Sequence, residues 1–175
     1  MESKAIDQAG GDAIRSKYLT FRLGSCEYGI VIQNVREIIA MHEITPLPQL
    51  PDYVQGVINL RGKIIPVVDL RLRLSLEAQA PTRTACIVVT EIPSDDDSGM
   101  ELIGCTVDGV SDVRDIDPEA VQPVPRTDSW SAQEHVTGLV QFDTGVVALL
   151  SITNLLGKIF HSDQRASIDP GAVEV

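Results

Sequence analysis

VQGVINLRGKIIPVVDL, residues 54–70, reads as two runs of β-branched and aliphatic residues joined across Asn59-Leu60-Arg61-Gly62. Val and Ile favour strands because their branched side chains pack well on a pleated surface. Gly62 supplies a residue that takes positive φ without a Cβ clash, so the two runs form a β-hairpin. Pro66 cannot donate to a ladder, which puts its strand at an edge or at a bulge. LRLRLSL continues the alternation, with Leu70, Leu72 and Leu74 set against Arg71 and Arg73. QAPT then breaks it, and an internal boundary is expected near residue 80.

Upstream, Leu19, Phe21 and Leu23 alternate with Tyr18, Thr20 and Arg22, and CEYGIVI repeats the alternation after a Gly24-Ser25 turn, predicting a first hairpin. The period then changes. Ile32, Val35, Ile38 and Ile39 fall at helical spacing and predict a short amphipathic helix from Gln33 to about Met41, stopped by the prolines of TPLPQLP. Residues 1–17 are polar, show no sustained period and read as a disordered arm.

Downstream, TACIVVTEI and ELIGCTV predict a third strand pair, joined by the loop PSDDDSGM. DGVSDVRDI, VQPVP, VTGLVQF and VVALLS predict further strands. Asp117-Pro118-Glu119 has the order of a capped helical turn. Ser151 precedes a short terminal helix carrying Ile152, Leu155, Leu156 and Ile159, and residues 158–175 read as a mobile tail. Many short strands with few helices predict an all-β protein. Gly-hydrophobic strand pairs recur in both halves, GVINLRG and TGLVQFDTG, which suggests two similar small barrels.

Composition narrows the function. The net charge of -11 argues against nucleic-acid and anionic-membrane surfaces, both of which call for clustered Lys and Arg. No stretch approaches the roughly 18 uninterrupted apolar residues of a membrane span, and the N-terminus lacks the apolar core of a signal peptide, so a cytoplasmic protein is expected. Cys26, Cys86 and Cys105 are far apart without a CxxC pair, which argues against a disulfide framework or zinc site. His42, His135 and His161 are isolated, and Asp95, Asp96 and Asp97 lack calcium-loop spacing, so no metal is expected. GxSxG, GxxxxGK[ST] and GxGxxG are all missing. No catalytic or cofactor-binding residue is nominated, and the chain is expected not to be an enzyme.

The hairpin stretch closely resembles the central signature of the CheW family, in which Gly-Val-x-Asn-Leu-Arg-Gly leads into Pro-Val-Val-Asp-Leu. FRLGSCEYGIVIQNVREII, VDGVSDV and TGLVQFDTGVVALLSITNLL are similar to the family in the same order, and together they cover residues 18–157. The resemblance implies two five-stranded β-barrels, a short helix after the first hairpin and another at the C-terminus. It implies a non-catalytic adaptor joining the cytoplasmic tip of a methyl-accepting chemoreceptor to the regulatory domain of a CheA-type histidine kinase.

Matching residues implied by the same resemblance are Val35, Glu37, Ile38, Asn59, Arg61, Val110 and Val113 toward the receptor, with Gly56 and Gly62 in kinase coupling. Glu37 and Arg61 are expected to pair. Val35, Ile38, Val110 and Val113 match positions at an apolar groove that suits a helical partner. The competing reading is a small-molecule-binding β-barrel without a kinase partner. Few polar or aromatic groups converge at its apolar positions, which counts against it.

Overall fold

Period-two alternation becomes strand almost everywhere it occurs. The computed structural model describes residues 15–94, 98–125 and 135–157, so most of both terminal segments and the loop residues 95–97 lie outside the described residues. β1 (Ser16–Leu23), which begins two residues before the expected Tyr18, pairs antiparallel with β2 (Cys26–Val31). β3 (Val35–Ala40), β4 (Val54–Leu60), β5 (Lys63–Asp69), β6 (Cys86–Pro93) and β7 (Met100–Val107) follow. β8 (Gly109–Ile116), β9 (Val136–Phe142) and β10 (Gly145–Leu150) complete two five-stranded sheets. The first sheet runs β8-β1-β2-β10-β9 and the second β3-β6-β7-β5-β4.

The two sheets are built alike. In each, a hairpin (β4–β5 or β9–β10) joins its neighbour through a parallel pair of only three residues, Val67 to Asp69 with Gly104 to Thr106, and Val147 to Leu149 with Glu27 to Gly29. In each, the chain leaving one edge strand returns to bridge the opposite edge, Thr45 to Val57 and Gln122 to Leu139. Gly56 and Gly138 mark the close approaches. A Cβ on Gly56 would stand 2.1 Å from Thr45 O, and one on Gly138 would stand 2.3 Å from Val121 Cγ1. The repeated Gly-hydrophobic pairs of the sequence are these equivalent hairpins.

Three elements differ from expectation. The helix over 33–41 is instead a 3-10 turn, Ile32–Asn34, followed by β3. Register against β6 shifts at Arg36, so this bulge, and not a helix, lets Val35 and Ile38, three residues apart, share one face. LRLRL is a single helical turn, α1 (Leu70–Arg73), because the Asp69 side chain accepts from the Arg71 and Leu72 amides, and Leu70 and Leu74 are buried one turn apart. VQPVP supplies only the bridge at Gln122. The turn after Asp117 forms as expected over Pro118–Ala120, and the terminal helix α2 occupies 152–157.

The sheets interleave along the chain, with β3 to β7 in one and the remaining strands in the other. The crossings lie at 32–34 and at Asp108, between β7 and β8, while residue 80, where a boundary was expected, lies in the connection between α1 and β6. Apolar packing follows this division. Ile58, Ile65, Val67, Ile87 and Val89 form the core of the second sheet, and Ile116, Val140, Val147 and Leu149 that of the first. A larger cluster draws on both, with Leu19, Phe21 and Ile30 from one sheet, Val68, Val88 and Cys105 from the other, and Leu155 and Leu156 from α2.

Candidate partner-binding site

The tip of the β4–β5 hairpin is a two-residue turn between paired Leu60 and Lys63. Arg61 and Gly62 hold φ of 53° and 85°, the doubly left-handed turn whose twist matches a right-handed strand pair. Arg61 bears a cost there that glycine does not. Asn59 offsets part of it, because its Oδ1 accepts from the Gly62 amide at 2.9 Å. Asn59 thus shapes the turn from within.

The turn aims Arg61 across to β3. Its Nη2 donates to Glu37 Oε2 at 2.8 Å, with the Arg61 side chain 77% exposed and that of Glu37 only 22%. An ion pair open to water on one side adds little stability. Its consequence is geometric, since β3 and the β4–β5 hairpin stand at opposite ends of the second sheet's strand order. The pair ties those ends together and presents a cationic head beside a fixed carboxylate.

Both outer strands facing the shared core carry a bulge. On β3, Val35 lies opposite Thr90 and Ile38 opposite Val88, so the bulge at Arg36 brings Val35 and Ile38 to one face. On β8, Val110 lies opposite Phe21 and Val113 opposite Leu19, and the shift at Ser111 does the same for that pair. In each pair the first residue packs on the shared core and the second, on the same face, is left exposed, Ile38 at 45% and Val113 at 46%. Cys86, opposite Ala40 of β3, packs with Val110 against the same shared core.

The expected receptor-facing residues therefore occupy two settings: the Glu37–Arg61 link with Asn59 inside its turn, and the apolar pairs on β3 and β8. Gly56 and Gly62 do not share one. Gly56 sits at φ 144° against Thr45, whereas a Cβ on Gly62 would meet nothing within 4 Å. Sequence reasoning gave no role to Arg71 and Asp108, whose buried ion pair joins α1 to the crossing between the sheets. Among the described residues no group of three or more His, Cys, Asp or Glu could hold a metal ion, and no helix is long and apolar enough to cross a membrane.

Comparison with known proteins places this geometry. Residues 17–160 match the family model described as CheW-like domain. A chemotaxis protein CheW of Klebsiella aerogenes is 32% identical over 164 residues, 94% of this chain and 93% of that protein. Protein FrzA of Myxococcus xanthus is 32% identical over 143 residues, 80% of this chain and 84% of that one. The crystal structure of scaffolding protein TtCheW from Thermoanaerobacter tengcongensis is similar at a TM-score of 0.69 and 31% identity, covering 78% of this chain and 89% of that chain.

Proposed function

The chain belongs to the CheW-like family, and from that membership we propose that it is a non-catalytic signalling adaptor coupling a chemoreceptor to a CheA-type histidine kinase in the cytoplasm. The observation that carries the proposal is the extent of the match, which runs through both sheets and includes relatives named as chemotaxis proteins over nearly their whole length. The mechanism is mechanical. Two surfaces of one rigid body hold two partners together, raise their effective concentration and pass a change in one to the other without covalent chemistry.

Geometry supports a division of labour. The exposed Ile38 and Val113 beside the shared core suit the apolar face of a receptor helix, with Glu37 and Arg61 setting the strand that carries Ile38. The hairpin around Gly56 and Gly62 is assigned to kinase coupling. We also read each sheet as curled toward a barrel. The support is that Thr45 and Gln122 each bridge the far edge of their own sheet, and that Glu37 reaches the opposite end of its strand order.

The test is reconstitution of a chemoreceptor cytoplasmic fragment with a CheA-type kinase encoded beside this protein. Adding the chain is expected to make kinase autophosphorylation receptor-dependent, and Ile38→Lys and Val113→Lys are expected to weaken receptor association. Failure of the chain to bind either partner overturns the adaptor reading.

A further inference from the structure

The likeness of the two sheets equates β3 with β8 residue by residue. Each strand bulges one residue after the valine that packs on the shared core, at Arg36 and at Ser111. Counted from the bulge, Glu37 corresponds to Asp112, Ile38 to Val113 and Ile39 to Arg114. The hairpin turns correspond as well, Leu60-Arg61-Gly62-Lys63 closing β4–β5 and Phe142-Asp143-Thr144-Gly145 closing β9–β10. The places of Glu37 and Arg61 in the second sheet are therefore held by Asp112 and Asp143 in the first. Two carboxylates repel and cannot form that link. The Asp112 carboxylate instead accepts from the Val113 amide of its own strand at 2.8 Å.

Arg114 makes a different link. Its guanidinium carbon stands 4.4 Å from the centre of the Phe142 ring. Strand alternation sends Arg114 to the side of Ile116, two residues on, and so toward the first-sheet core, on which Phe142 and Tyr18 also pack. β8 and β9 are the two ends of that sheet's strand order, as β3 and β4 are of the other. Arg114 thus joins the ends of the first sheet as the Glu37–Arg61 link joins those of the second. The corresponding pair in the second sheet, Ile39 and Leu60, is apolar and packs on that sheet's core. Arg114 Nε is shut off from water without a hydrogen-bond partner, and among the described residues Arg114 enters no ion pair. The negative face of the ring is what its charge meets.

We propose that Arg114 and Phe142 are positioning residues for the receptor face: their stacking fixes β8, and with it Val113, against the β9–β10 hairpin. The inference rests on the adaptor reading and deepens it, since the two sides of that face are then held by different chemistry. The Glu37–Arg61 pair, with its cationic head in water, is screened by salt. A cation on a ring face, with both residues partly buried, is screened much less.

The test replaces Phe142 in the full chain by phenylalanines carrying one, two or three ring fluorines, which drain the negative ring face while scarcely changing its shape. Binding to a chemoreceptor cytoplasmic fragment, measured by co-sedimentation, is expected to weaken stepwise with fluorine number, severalfold in all, and to do so equally in high salt. Arg114→Met is expected to weaken binding by a similar factor, to make it indifferent to the fluorines, and to speed amide exchange across 112–115 while sparing 37–40. Arg61→Glu supplies the contrast, because its effect shrinks as salt rises. A receptor-binding chain that shows no fluorine trend, or a trend that survives Arg114→Met, overturns this proposal alone. Loss of binding in Phe142→Leu without a fluorine trend has the same force, because it marks the ring as apolar filling. Failure of the unsubstituted chain to bind the receptor fragment overturns the adaptor reading itself, and the proposal with it.

Discussion

Arg71 donates from Nε to Asp108 Oδ1 at 2.9 Å and from Nη2 to Asp108 Oδ2, closing a two-pronged pair between α1 and the residue where the chain passes from β7 to β8. Arg71 is buried, and Asp108 Oδ2 also accepts from the Gly24 amide in the β1–β2 turn. Thr82 and Thr84 hydroxyls donate to the Asp108 carbonyl at 2.6 Å each. One carboxylate thus gathers α1, the first hairpin and the crossing of the sheets. Arg73, on the same helical turn, stacks over the Tyr53 ring and donates to Leu155 O of α2. This turn therefore ties the second sheet to the first, alongside the apolar cluster that the two share.

Breaking the pair on one side leaves a buried charge alone. Asp108→Ala is expected to lower unfolding free energy by about 3 kcal/mol, read from urea denaturation with an unchanged m-value. Replacing both partners by apolar residues, Arg71→Met with Asp108→Leu, should recover most of that loss, since buried pairs often contribute little net stability over a hydrophobic substitute. A double variant as unstable as Asp108→Ala would show that the Gly24 contact, and not the pair, is the important one.

Acid should weaken the same joint. Burial alone pushes the Asp108 carboxyl up, but hydrogen bonds from Arg71 and the Gly24 amide, with the charges of Arg71 and Arg22, outweigh it and hold the carboxyl below its ordinary value. A depressed carboxyl contributes stability that is fully present above the unfolded pKa of about 3.9 and is lost as pH falls through the lower folded value. Asp69 runs the other way. Burial raises its carboxyl, so its charged form costs stability above the raised value and the cost is relieved as pH falls. Denaturation followed between pH 5 and pH 2 should therefore show a shallower decline for Asp108→Asn than for the parent.

The two glycines of the hairpin separate backbone need from partner contact. At Gly56, φ is 144° and a Cβ would overlap Thr45 O, so Gly56→Ala must displace the Thr45 bridge and is expected to cost more than about 2 kcal/mol. At Gly62 the surrounding space is open and only left-handed strain remains, about 1 kcal/mol for Gly62→Ala. Thermal unfolding measures both. A kinase-coupling defect in Gly62→Ala beyond its small stability loss would mark the turn as a contact, whereas any defect in Gly56→Ala must first be corrected for unfolding.

These features differ in how far the sequence reveals them. Alternation around Leu19 and Phe21, or in VTGLVQF, is local and specifies strands directly. Val35 and Ile38 mislead because a bulged strand and a helix both bring apolar residues three apart to one face, and only pairing with β6 distinguishes them. LRLRL misleads for the opposite reason, since alternating Leu also places Leu70 and Leu74 on one side of a helical turn once Asp69 caps it. Arg71 and Asp108 lie 37 residues apart with no local signature, so that joint is invisible before the fold is known. Likewise, composition and spacing carry nothing that joins Glu37 to Arg61 over 24 residues. That pairing entered through family resemblance.

The thiols offer a check on the core. Burial pushes Cys105 up to about 12, while a hydrogen bond with Thr90 opposes the rise only in part. A thiol reacts through its thiolate, so Cys105 should stay unmodified by an aromatic disulfide reagent in the folded protein at pH 8. Cys26 is exposed at the start of β2 and should react first, with Cys86, half covered and also raised by burial, behind it. Full titration of all three is expected only in denaturant. Rapid labelling of Cys105 in native buffer would show that the shared core opens far more readily than its packing implies.

The Glu37–Arg61 link should matter to a partner more than to the fold. With Arg61 so exposed, Arg61→Glu is expected to change stability by no more than about 1 kcal/mol. Either single reversal, Glu37→Arg or Arg61→Glu, places like charges together and lets the hairpin tip swing from β3, so receptor association measured by co-sedimentation should fall severalfold. If the pair acts by holding β3 and the hairpin in register, the double reversal restores the attraction and recovers association. If Arg61 instead touches an acidic group on the receptor, the double variant stays as weak as the single Arg61→Glu. The two outcomes separate an orienting role from a contact role without any assumption about the partner's structure.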